Sequence, residues 1–172
     1  MGSAPLSGLL RPSAIRVGAI AADWRAAVRV AGDALVTTGV TEDAYTNEMI
    51  ATVEELGPYI VIAPGIALAH SRPSPAVRRV GMSLVTLAGP VEFGHRENDP
   101  VRLVVGLAAP DSDGHVTALA TLASFLSDEA RREALLSAQN VAEIRALIVE
   151  FENRAASPGR GTLKSRPRRK AG

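Results

Sequence analysis

The chain has 172 residues, 47% hydrophobic and 22% charged, a balance that fills one core and is neither a disordered coil nor two comfortable domains. It has no cysteine, which excludes disulfides, thiolate nucleophiles and thiolate metal ligands, and its 3% aromatic content is too low for a base-stacking platform on single-stranded nucleic acid. The net charge of +1 divides unevenly: residues 1–153 carry twelve basic and eighteen acidic side chains, and residues 154–172 carry seven basic and no acidic ones.

Residues 1–13 read as a loose leader without a basic n-region or a sustained apolar h-region, so a secretory signal is not expected. Ile15 and Val17 in AIRVGAI suggest a short strand. Asp23 is placed to cap a helix, DWRAAVRVAGDALV, in which Ala27, Val30, Ala31 and Ala34 recur at helical spacing before Thr38 and Gly39 end it. Thr41 is placed to cap a second helix, EDAYTNEMIATVEEL, with Tyr45, Met49, Thr52, Val53 and Leu56 on one face and Gly57-Pro58 as the stop.

YIVIA then reads as a short buried strand, and IALAH as another after the Pro64-Gly65 turn. The uncharged stretch from Leu56 to Ser71 is too short and too interrupted by glycine and proline to span a bilayer, so a soluble protein is expected. Residues 80–87 and 101–108 are apolar enough to lie inside a sheet, with a loop between them that contains FGHREND.

PDSDG leads into a helix expected to start near His115, with Val116, Leu119, Leu122, Ala123 and Leu126 on its apolar face. Ser127-Asp128 opens a short helix. Asn140 caps a last one carrying Ile144, Leu147, Ile148 and Phe151. Strands interleaved with helices predict an α/β domain over 14–153, with a mixed, roughly five-stranded sheet flanked by helices. Residues 154–172 read as a basic, disordered tail, a charge run of the kind that is usually solvated.

Three histidines are the candidates for chemistry. His70 closes the apolar run and precedes Ser71. It is either a strand-end histidine satisfied by a backbone carbonyl or a nucleophile set among small residues whose N–H and hydroxyl groups can hold phosphate oxygens. His115 stands at a helix start, where N–H donors are free, and is alternatively a solvated side chain. His95 lies in a polar loop and reads as a surface residue. No pair has H-x-x-x-H spacing and no carboxylate completes a ligand set, so no metal is expected. There is no G-x-S-x-G elbow and no G-x-x-x-x-G-K-[ST] loop, which argues against a serine triad and against direct nucleotide use.

The segments TVEELGPYIVIAPGIALAHSRP and MSLVTLAGPVEFGHRENDPVRLVVGLAAPDSDGHVTALATLASFLSD resemble enzyme IIA of the sugar phosphotransferase system (PTS). The likeness is to the fructose/mannitol (type 2) superfamily and, within it, to the ascorbate-specific branch, over residues 15–150. GPYIVIAPGIALAH and FG-x-x-END are the most specific strings.

The resemblance implies a cytoplasmic phosphocarrier without a cofactor. It would accept phosphoryl from phospho-HPr and pass it to a cysteine of enzyme IIB, which serves the membrane subunit IIC in uptake of ascorbate or a similar sugar acid. By position His70 matches the phosphorylated histidine and His115 the second active-site histidine, with Ser71 beside the phosphate. Mannitol-type relatives carry a phosphate-neutralising arginine on the helix before the histidine, where MIATVEEL places Thr52; Arg72 is the nearest arginine in sequence. A regulatory IIA, whose phosphorylation state controls a partner, is the alternative. No nucleic-acid partner is expected, and the oligomeric state is open, a homodimer included.

Overall fold

The computed structural model describes residues 5–156. Its elements in chain order are α1 (Leu6–Leu9), β1 (Ile15–Ala19), α2 (Trp24–Thr37), α3 (Asp43–Leu56), β2 (Val61–Ala63), β3 (Ile66–Ala69), β4 (Gly81–Val91), β5 (Val101–Ala108), α4 (Ser112–Leu126), α5 (Glu129–Ser137) and α6 (Val141–Ala156). The five strands form one sheet in the order β1-β4-β5-β3-β2. β1 runs parallel to β4 and β3 parallel to β5, while β4–β5 and β2–β3 are antiparallel, so the sheet is mixed as expected.

Both faces of the sheet are covered. Alternation along the strands sends Val85, Val104, Ala67 and Ala69 to one face, where Ala27, Ala31 and Leu35 of α2 and Met49 and Val53 of α3 meet them. Leu84, Leu103, Val105 and Leu68 point to the other face, against Leu122 and Phe125 of α4, Leu135 of α5 and Ile144 and Ile148 of α6. Small residues set the spacing on the first face. An added Cβ at Gly106 would stand 2.3 Å from Ser83 Oγ, and that hydroxyl donates to the Ala31 carbonyl of α2 at 2.8 Å.

Local chemistry explains most boundaries. Asp23 accepts the Ala26 N–H, Asp128 the Arg131 N–H and Asn140 the Glu143 N–H, each closing the first turn of a helix. Gly57 ends α3 at φ +87, a conformation that a side chain resists.

Several expectations are corrected. Within the leader expected over 1–13, the described residues are packed and not loose: Leu6, Leu9 and Leu10 are buried against the second face, and Ser7 N–H and Oγ bind the Glu152 carboxylate at 2.6 and 3.1 Å. Three leucines within the first ten residues have an apolar seat to fill, and α6 supplies it. YIVIA is not a buried strand: only Val61–Ala63 pair, at the sheet edge, with Tyr59 and Ile62 exposed. Thr41 does not cap α3, because it bridges to Val77 and its Oγ1 is buried without a partner. Strand β4 extends to Val91, past the expected loop start. Helix α4 begins at Ser112, because Asp111 accepts the Gly114 N–H and caps it three residues earlier than expected. Helix α6 reaches Ala156, where Arg154 pairs with Glu150, and the remainder of the expected tail lies outside the described residues.

Among the described residues no helix is long and apolar enough to cross a membrane, and no cluster of three candidate ligand side chains could hold a metal.

Candidate active site

Strands β3 and β5 are parallel neighbours, with Leu68 opposite Val105 and Ala69 opposite Gly106, so both chains leave the sheet at the same end. Their continuations diverge. After β3 the chain packs Ala76 and Val77 on the α2–α3 face, and after β5 it enters α4 on the other face. A crevice outside the carboxyl ends of parallel strands is where open α/β sheets bind ligands. Here His70 and His115 stand at that crevice.

The cleft has a volume of about 340 Å³. It is lined by His70, Ser71, Arg72 and Pro73 after β3, by Thr52 and Leu56 from the end of α3 and Tyr59 from the loop after it, and by Ser112, His115 and Val116 from the first turns of α4. The structure therefore brings together all five residues singled out in the sequence. Tyr59, Leu56, Ser112 and Val116 are additions, assembled by tertiary packing; the DSDG run before His115 is the one local signal, and it marks Ser112. His95 belongs elsewhere. Its Nδ1 accepts the N–H groups of Glu97 and Asn98 at 3.2 and 3.1 Å, and it is half-buried, not a free surface residue.

His70 Nδ1 lies 2.8 Å from the Leu68 carbonyl. A carbonyl only accepts, so Nδ1 carries the ring proton and Nε2 presents a lone pair. The Nε2 atom has no hydrogen-bond partner among the described residues. Tyr59 stands edge-on to the ring at 5.7 Å between centroids, and His115 lies 5.7 Å away with its plane tilted 45°. Burial, and then the neighbouring His70, hold the His115 imidazole below its ordinary value, which keeps it neutral with one N–H to donate. Gly114 allows this approach, since a Cβ there would come within 2.8 Å of Val80 Cγ2.

The polar groups around Ser71 are already engaged. Its N–H donates to the Tyr45 phenol at 2.9 Å, and that phenol donates onward to the Leu107 carbonyl at 2.8 Å. The Ser71 N–H thus faces the core and not the cleft, which corrects the expectation of a free backbone donor there. Burial pushes Tyr45 up to about 12, so it stays a phenol. Thr52 Oγ1 donates to the Glu48 carbonyl at 2.8 Å and meets Ser71 Oγ at 3.2 Å. Arg72 is exposed, forms no salt bridge among the described residues, and lies close enough to Tyr59 to pull its phenol down, although burial outweighs that pull.

The FG-x-x-END string is scaffold. The Asp99 carboxylate accepts the N–H groups of Phe93, Gly94 and His95 at 2.7 to 3.1 Å, and Asn98 Nδ2 reaches the Val61 carbonyl at 3.2 Å. The Asn98 carbonyl takes the Gly65 N–H, so this loop braces the β2–β3 turn that leads to His70.

Comparisons with known proteins identify the family and the fold. The family described as phosphoenolpyruvate-dependent sugar phosphotransferase system, EIIA 2, matches residues 8–151. An ascorbate-specific PTS system EIIA component of Escherichia coli is 38% identical over 141 residues, covering 81% of this chain and 92% of that protein. The mannitol-specific cryptic phosphotransferase enzyme IIA CmtB of Escherichia coli has a similar solution structure, with a TM-score of 0.77, 31% identity and coverage of 86% and 99%. Enzyme IIA of the Escherichia coli mannitol system, solved in complex with phosphorylated enzyme IIB, gives a TM-score of 0.71 at 30% identity, covering 80% of this chain and 95% of that one.

Proposed function

The chain belongs to the EIIA 2 family of the phosphoenolpyruvate-dependent sugar phosphotransferase system, and on that premise we propose that His70 is its phosphoryl-accepting residue. The observation that carries this reading is the His70 ring itself, with Nδ1 anchored on Leu68 and Nε2 unpartnered in a cleft shared with a second histidine.

The donor is phospho-HPr and the acceptor a cysteine of enzyme IIB. The Nε2 lone pair attacks phosphorus as the donor's P–N bond breaks, and the donor nitrogen recovers the electron pair. Nδ1 keeps its proton on the Leu68 carbonyl, so the ring takes the positive charge that the new N–P bond generates. Phosphoryl transfer passes through a loose transition state, so the protein's task is positioning and charge neutralisation. His115 donates a hydrogen bond to one phosphoryl oxygen, Ser71 Oγ to another, and the exposed guanidinium of Arg72 supplies the positive charge at the rim.

The protein works in the cytoplasm, in uptake of ascorbate or a related sugar acid. The 38% identity to an ascorbate-specific component supports that assignment, and so does Thr52 in place of an arginine on α3.

The test is incubation with phosphoenolpyruvate, enzyme I and HPr, read by intact mass. One acid-labile phosphoryl gained by the wild type and lost in His70→Ala is the expected result. No gain, or an undiminished gain in His70→Ala, overturns the assignment.

A further inference from the structure

A hydroxyl has one proton, and around Ser71 the protons can be counted. Thr52 Oγ1 directs its own to the Glu48 carbonyl at 2.8 Å, the i−4 bond that helical threonines make. Its contact with Ser71 Oγ at 3.2 Å therefore runs from Ser71 to Thr52. The Ser71 backbone cannot shift to change this, because its N–H is held at 2.9 Å by Tyr45, a side chain buried in the core. One freedom is left, rotation about the Ser71 Cα–Cβ bond, which has three staggered positions.

We infer that the Ser71 hydroxyl is a two-position donor, resting on Thr52 Oγ1 in the unphosphorylated protein and turning to a phosphoryl oxygen on His70 in the phosphorylated one. This rests on the phosphocarrier reading above. Ser71 follows His70 directly and lines the same cleft, so a phosphoryl group on Nε2 is the new acceptor within its reach. A doubly charged phosphoryl oxygen outcompetes a neutral hydroxyl as an acceptor, and the bond to Thr52 is long for an O–H···O contact.

Thr52 is then a positioning residue that stabilises the empty state alone. Its effect is to hold down the phosphohistidine's share of the phosphoryl and so to ease its onward passage. An arginine at this place would stabilise the loaded state instead.

The experiment measures the equilibrium distribution of phosphoryl between HPr and the protein by intact mass. Thr52→Val removes the resting acceptor and raises the transfer constant toward His70 by roughly three- to tenfold, the scale of one neutral hydrogen bond. Thr52→Ser keeps the oxygen and restores the wild-type constant. Ser71→Ala lowers the constant, and Thr52→Val in the Ser71→Ala background changes nothing further.

A lower constant in Thr52→Val means that Thr52 itself holds phosphate, and an equal rise in the Ser71→Ala background means that Ser71 is not the donor; either overturns the inference and leaves the carrier reading intact. An unchanged constant in Thr52→Val does the same. Should Thr52→Val fail to fold, Thr52→Ala reads in the same way. A wild type that takes no phosphoryl removes the carrier reading and this inference together.

Discussion

The rings of His70 and His115 stand 5.7 Å apart, one just after β3 and the other in the first turn of α4. That separation leaves room for a phosphoryl group on one ring to accept from the other. His115→Ala should still take phosphoryl on His70, but about 10- to 100-fold more slowly, the cost of one hydrogen bond to a charged group. Rapid-quench transfer from phospho-HPr measures the rate. An unchanged rate would leave His115 as a packing residue.

His115 also gives stability a pH dependence. Its folded value lies below the ordinary one because burial, then His70, disfavour the imidazolium. The unfolded chain therefore binds the proton first as pH falls. Stability is full above the ordinary histidine range, declines as pH drops below it, and levels off once the folded group is protonated too. Urea unfolding of wild type and His115→Gln between pH 5 and 8 should show this slope in the wild type only, about the unperturbed value of 6.5.

Tyr45→Phe should strand the Ser71 N–H and the Leu107 carbonyl at once. The expected loss is about 2 kcal/mol, the scale of an unsatisfied buried group, and phosphorylation should slow as the Ser71 loop loosens. Alkali offers a second readout. The folded phenol is raised to about 12, so the folded state retains a proton that the unfolded chain releases from about pH 10. Wild-type stability then falls across that interval, and Tyr45→Phe should lack this component.

Asp99→Ala should release three backbone N–H groups in a loop that braces the β2–β3 turn. A loss of about 2 to 3 kcal/mol is expected, together with faster amide exchange at Gly65, whose N–H is held by Asn98. Exchange that stays as slow as in the wild type would separate the loop from the turn.

Much of this was legible because it is local. Asp23, Asp128 and Asn140 announce helix starts by their own chemistry, and α2 and α6 show their buried faces in periodicity. The edge position of β2 was not, since VIA looks the same in the middle of a sheet as at its border, and pairing partners decide between them. The four-residue α1 was hidden for a similar reason: glycine and proline around it mask leucines whose burial depends on a helix that begins only at Val141. Within the site, adjacency in sequence linked His70, Ser71 and Arg72, a helix-start position marked His115, and the resemblance singled out Thr52. Tyr45 was read as one more member of an apolar face. Its phenol bonds residues 26 and 62 positions away, a relationship no window along the chain contains.

The Ser7–Glu152 contact joins the two ends of the described chain. A polypeptide usually begins to open at its termini, where fraying is nearly free. Here one end is the other's lock: peeling back α1 strips the cover from α6, and loosening α6 unseats α1. Local opening should therefore start at the β2 border, and the last turn of α6 should exchange its amides together with Leu9 and Leu10, as one cooperative unit.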